Sequence, residues 1–159
     1  MTLPAVLALV QRLGMRARLA ADRLRPLAPL VTRVVVGQTF LLTGLGKLSH
    51  LDRTTAFFAS IGMPLPAANA LLVGVLELVG GACLILGLGT RLFGALLSGT
   101  MVVALLTADR GRFLRALVPG GPVGLADVSA FVLLLFLLWL VALGGGPLSL
   151  DKVVFARRR

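Results

Sequence analysis

Four long apolar runs, broken by short polar stretches, occupy residues 30–143. In the first run Arg33, Gly37, Phe40, Gly44 and Lys47 recur at spacings of four, three, four and three. That spacing places all five on one face of a helix. A charge stands at each end of the face, and the two glycines between them let another backbone come close. At helical rise the charges lie ~21 Å apart, most of the way across a ~30 Å hydrocarbon layer. The pattern predicts a transmembrane helix over residues 30–48 whose marked face meets the other helices.

The second run predicts a span over residues 68–88. Gly74, Glu77, Gly81 and Leu84 share one of its faces, with Gly80 beside them. The break Gly89-Thr90-Arg91 is so short that this span and the next, residues 92–108, must form an antiparallel hairpin. Gly94 and Ser98 give the third span a small-residue face. A polar loop follows over residues 109–123, with three arginines and the turn Pro119-Gly120-Gly121-Pro122. The fourth span is expected over residues 124–143, with Asp127 in its first turn and Trp139 near its other end. Gly144 to Pro147 ends it.

Two shorter patterns flank these runs. Residues 51–61 are polar on one side and carry Phe57, Phe58 and Ile61 on the other. They predict a short helix on the membrane surface, capped by Asp52 and stopped by Gly62, Pro64 and Pro66. In residues 1–28 an apolar stripe (Val6, Val10, Leu13, Ala17, Ala20, Leu24) is flanked by Arg12, Arg16 and Arg23 on one side, Arg18 and Arg25 on the other. This predicts an interfacial amphipathic helix with arginines at headgroup level; a disordered basic tail is the alternative. Its charge follows the apolar stretch, the reverse of a secretory signal. Pro26 and Pro29 are expected to end it before the first span.

Composition supports a membrane protein. Of 159 residues 58% are hydrophobic and 14% charged, against about 45–50% and 25% in soluble domains. The net charge of +10 would point to nucleic acid in a soluble protein, but no aromatic-rich basic groove accompanies it. Anionic lipid headgroups are the better partner, with Arg12, Arg16, Arg23 and Arg33 as candidate contacts. Four spans put both termini on one side. Eleven basic residues fall on that side and five on the other, so the positive-inside rule assigns the termini to the cytoplasm. The three loop arginines at 110, 112 and 115 run against this trend. The lone cysteine, Cys83, excludes an internal disulfide, and no Cys/His cluster marks a metal site.

Candidate chemistry centres on Glu77, the acid well inside an apolar run. Such a residue faces other helices and is paired or protonated. It reads either as a proton- or quinone-binding group or as a polar clamp joined to Lys47 or Gln38. Lys47 could instead snorkel to headgroups, and Arg33 reads as an anchor at the inner end. Gly37, Gly44, Gly74, Gly81 and Gly94 read as packing residues. No nucleophile–base pair, Walker loop or dinucleotide fingerprint is present.

RxxxGxxFxxxGxxK in the first span, FxxxGMPxP from Phe58 to Pro66, ELVGGxxLILGLGTR from Glu77 to Arg91 and the terminal SLDK together resemble the DoxX family of small bacterial membrane proteins. The likeness covers about residues 33–152. It implies a four-helix membrane bundle associated with redox complexes, since family members include a membrane subunit of a thiosulfate:quinone oxidoreductase. The basic segment before Arg25 is longer than the family's usual start.

The expected protein is all-α: an interfacial helix at residues 1–28, a four-transmembrane-helix bundle at 29–152 and a basic cytoplasmic tail at 153–159, in the bacterial inner membrane. The leading expectation for function is a non-catalytic accessory subunit of a redox or energy-converting membrane complex. It would contact other membrane subunits, with quinone as its candidate ligand and no covalently held cofactor. The alternative is a small carrier for a solute or proton.

Overall fold

The computed structural model describes residue 15 and residues 26–152, and these residues contain helices and turns but no strand. In order they form α1 (Leu27–Ser49), α2 (Leu51–Ser60), α3 (Pro66–Leu86), α4 (Thr90–Leu106), α5 (Arg110–Ala116), a 3-10 helix (Leu125–Asp127) and α6 (Ser129–Leu143). Almost all of the expected interfacial helix, including Arg12, Arg16 and Arg23, and the whole 153–159 tail lie outside the described residues.

Helices α1 and α3 have 23 and 21 residues and are long and apolar enough to cross a membrane. At helical rise they span ~34 and ~31 Å, matching the hydrocarbon thickness. Pro26 is the N-cap of α1, and Pro29 sits in its first turn. First-turn N–H groups have no intrahelical acceptor, so Pro29 is accommodated at the start of this helix. Leu65, the one non-glycine at positive φ among the described residues, turns the chain into α3, and Pro66 occupies the first helical position. Gly87, at φ +69°, ends α3, a backbone state that side chains disfavour.

The structure departs from expectation at three places. Helix α4 ends at Leu106, and after a short break the chain folds through 83° into α5. The polar loop therefore contains a helix, and Phe113 on it stacks near Phe131 of α6, with ring centroids 5.9 Å apart. Helix α6 has 15 residues and begins at Ser129, five residues later than expected. The Asp127 carboxylate accepts the Gly124 N–H at 2.8 Å, closing a local turn that competes with the helix, and Val128 is extended. Third, Asp52 lies within the first turn of α2, and His50 is its N-cap.

Helix α1 packs most closely on α3, and α4 on α6; α3 also touches α4, and α1 touches α6. Between α1 and α3 the backbones meet across glycines. A methyl group at Gly37 would lie 2.7 Å from the Gly81 carbonyl oxygen, and one at Gly44 would lie 2.8 Å from that of Gly74. Where α4 meets α6, a methyl at Gly94 would press on Val141 at 3.0 Å. Phe40, Leu84, Leu97, Leu137 and Leu140 fill the centre. The outer surface is lined with exposed leucines and valines such as Val31, Leu42, Leu72, Val79, Leu92 and Leu138. An outside this apolar belongs in lipid.

Candidate functional site

The inward face of α1 carries a charged side chain near each end, and the two meet different surroundings. Near the C-terminal end Lys47 Nζ donates to Glu77 Oε2. Glu77 is 3% exposed and Lys47 27%. The stagger of α1 and α3 makes this meeting direct. Leu48 lies against Gly74, so α1 ends beside the third turn of α3. The first two turns of α3 rise beyond it, and α3 also packs against α2. Lys47 therefore stands beside Gly74, and its side chain reaches back about one turn to Glu77. A carboxylate in this setting is tolerated because an ammonium compensates it.

This pair forms part of the wall of a cavity of about 450 Å³ between α2, α3 and α4. Phe57, Phe58 and Met63 cover one side of it. Leu72, Leu76, Leu96, Met101 and Ala104 form its apolar walls. Asn69, Thr100 and Thr107 add a few polar groups. A mostly apolar space with a small number of convergent polar groups is the usual form of a small-molecule site. The lysine uses one of its three N–H donors on Glu77. The others are available to an acceptor in the cavity.

At the opposite end Arg33 is 3% exposed. Its Nη2 donates to the Leu148 carbonyl oxygen. The guanidinium proposed for a headgroup is here enclosed by the chain's own atoms. Residues 144–151 fold back beneath α1, with Gly146 against Pro29, and close over the guanidinium. The same fold-back brings Asp151 to the start of α4. Its carboxylate accepts the N–H groups of Gly89 at 2.6 Å and Thr90 at 2.9 Å, and its own N–H donates to the Gly87 carbonyl at 2.9 Å. Asp151 is also the acid whose field acts on Arg33. Arg33 Nε and Nη1 and Thr90 Oγ1 are enclosed without an acceptor or donor among the described residues.

Gln38 does not join either cluster. It is exposed on the outer side of α1. Gly37, Gly44, Gly74 and Gly81 lie buried between α1 and α3, and Gly94 is buried against α6. Sequence reasoning missed Asp151, Thr90 and Ser149 at the closed end. The signal was present: Asp151 is an acid placed just after the last apolar run, and the preceding short turn 87–89 offers free N–H groups at a helix start. It also missed the cavity, because Asn69, Thr100 and Thr107 lie far apart along the chain.

Comparison with known proteins gives a consistent picture. The chain is 34% identical over 130 residues to the Bacillus subtilis protein named "Putative oxidoreductase CatD", covering 82% of this chain and 89% of that one. It is 35% identical over 139 residues to "Uncharacterized membrane protein Rv3486" of Mycobacterium tuberculosis, covering 80% and 81%. A shorter match, 33% over 67 residues, joins 42% of this chain to 48% of "Inner membrane protein YphA" of Escherichia coli. No solved structure matches. The DoxX family model matches residues 28–110. With its apolar helices and these relatives, the chain is a membrane protein and belongs to the DoxX family.

Proposed function

We propose that this protein is an accessory membrane subunit of a redox complex and that its cavity receives the headgroup of a quinone. The observation that carries the reading is the apolar space of about 450 Å³ with Lys47 and Glu77 in its wall. A quinone needs an apolar slot for its ring and donors for its carbonyl oxygens. The Lys47 ammonium supplies a donor beside Glu77, and a carboxylate accepts the hydroxyl proton of the reduced form. The chain would position the ring and handle protons, and electrons would come from a partner subunit. The name of the Bacillus subtilis relative supports a redox setting. The low polarity of the walls favours a lipid-soluble ligand over a hydrated solute.

In this reading α1, α3, α4 and α6 all cross the inner membrane as a four-helix bundle. Helix α6 is short but apolar throughout, and residues 124–128 extend it to the surface. Helix α5 lies along the outer face, and both termini are cytoplasmic by the charge count.

The test uses the full chain in lipid nanodiscs with a photoreactive azidoquinone. Labelling should map to residues 57–63 or 96–108 and fall with excess decylubiquinone. Gly99 lines the cavity and has open space where a side chain would stand. Gly99→Leu should therefore fill the site and abolish labelling while leaving the fold intact. Labelling spread over the surface and unchanged by Gly99→Leu overturns the quinone reading.

A further inference from the structure

Gln38 is the central residue of α1, eleven positions from Leu27 and eleven from Ser49. At helical rise it lies ~16 Å from either end. Its side chain is too short to snorkel to headgroups from that depth. It is nonetheless exposed, on the side of α1 opposite Phe40 and Gly44, and it has no hydrogen-bond partner among the described residues. An amide left in hydrocarbon with two donors and an unused carbonyl is costly, and side chains of this type hydrogen-bond across helices in membranes.

The residues around it form a seam. Val31, Val35, Gln38, Leu42 and Leu45 step by four, three, four and three, and all five are exposed. That is the spacing with which two helices pack at a shallow left-handed angle. One polar residue in an otherwise apolar seam is a device that fixes register and the number of chains.

We propose that a second copy of this chain docks on the outer face of α1, with the two Gln38 amides bonded to each other. The amide chemistry selects the occupant. A primary amide donates and accepts, so a two-fold axis through position 38 lets each Gln38 give an N–H to the carbonyl of its equivalent. An interface of this kind uses the same patch on both chains. Copies inserted with the same orientation are related by an axis along the membrane normal, so both amides lie at the same depth with no sliding of one chain against the other. The arrangement leaves the cavity beside Lys47 and Glu77 free, since that lies across α3 from the seam.

The experiment measures mass and proximity with the full chain in mild detergent and in nanodiscs. Light scattering should give a dimer for the natural sequence. Gln38→Leu puts an ordinary apolar residue toward lipid, so it should fold, yet weaken dimerisation at least tenfold. Gln38→Asn should retain much of it. In a Cys83→Ser background, Val35→Cys should form an intermolecular disulfide on mild oxidation, whereas Leu71→Cys, on the exposed side of α3, should not. A monomer under all conditions overturns the proposal, as does a dimer indifferent to Gln38→Leu. Release of a different membrane protein from native membranes by Gln38→Leu, with the purified chain monomeric, also overturns it, because the seam would then serve an unlike partner.

Discussion

Arg33 and Lys47 lie on the same face of α1, and each answers to one acid from elsewhere in the chain, Asp151 and Glu77. Their surroundings differ. The Arg33 end is sealed by backbone: the 87–89 turn, the Leu148 carbonyl and the glycines at 145 and 146 all close on it. The Lys47 end is left with a space beside it. A buried charge whose neighbours are all chain atoms holds a fold together. A buried charge that faces a cavity keeps hydrogen-bonding capacity for something else. Each cation has an acid in its field, but only Lys47 is joined to its acid directly, and only the Lys47 end has space beside it.

Breaking the sealed end should have the largest effect. Asp151→Ala removes two charge-assisted N–H bonds and a negative charge whose field acts on Arg33. The expected loss is about 3 kcal/mol, read as a clear fall in the thermal midpoint in detergent. An unchanged midpoint would mean that the fold-back at 144–151 does not seal the bundle.

Gly87→Ala attacks the same end through the backbone. The residue is at φ +69°, and a methyl there would collide with Arg33 Nη1 and lie 2.7 Å from Ser149 Cβ. A non-glycine residue held in this conformation costs about 1–3 kcal/mol. The same melting assay should place this variant between Asp151→Ala and the natural sequence.

The open end should respond least, and its response should be coupled. Lys47→Leu leaves Glu77 unmatched, though the carboxylate can offset part of the penalty by taking a proton. Glu77→Gln added to Lys47→Leu should recover stability. Glu77→Gln alone should be milder than Glu77→Leu, because the amide keeps its bonding capacity. A double-mutant cycle should give a coupling of about 1–2 kcal/mol; additive losses would separate the two residues. Together the three experiments test whether enclosure, more than charge, decides how much each pair stabilises.

The sequence made some of this contrast legible. A period of 3.6 picks out the inward face of α1 and the Gly74-Glu77-Gly81-Leu84 face of α3, because burial repeats with the helix turn. Lys47 and Glu77 could be matched on paper, since each is a charge in an apolar run and the second run starts from the side on which Lys47 ends the first. Arg33 could not be matched in the same way. Its hydrogen-bond partner is the Leu148 carbonyl, and the acid whose field reaches it is Asp151, both more than a hundred positions away in a segment with no periodic signal. The 124–143 boundary misled for a local reason: Asp127 satisfies Gly124 by a turn bond and delays α6 until Ser129. Helix α5 was hidden by Gly111 and three arginines, which read as loop until Phe113 finds Phe131.

The cavity beside Lys47 also has a rim. Leu72, Leu96 and Val103 line it and are themselves exposed on the apolar exterior, so its doorway gives onto the hydrocarbon phase. On the quinone reading proposed above, a molecule that enters must first dissolve in the bilayer. Occupancy then follows the number of ligand molecules per lipid, a two-dimensional concentration. Adding empty vesicles that take up the ligand drains the site, whereas adding buffer to a strongly partitioning ligand hardly changes it. Affinity for such a doorway is a property of the protein and its membrane together.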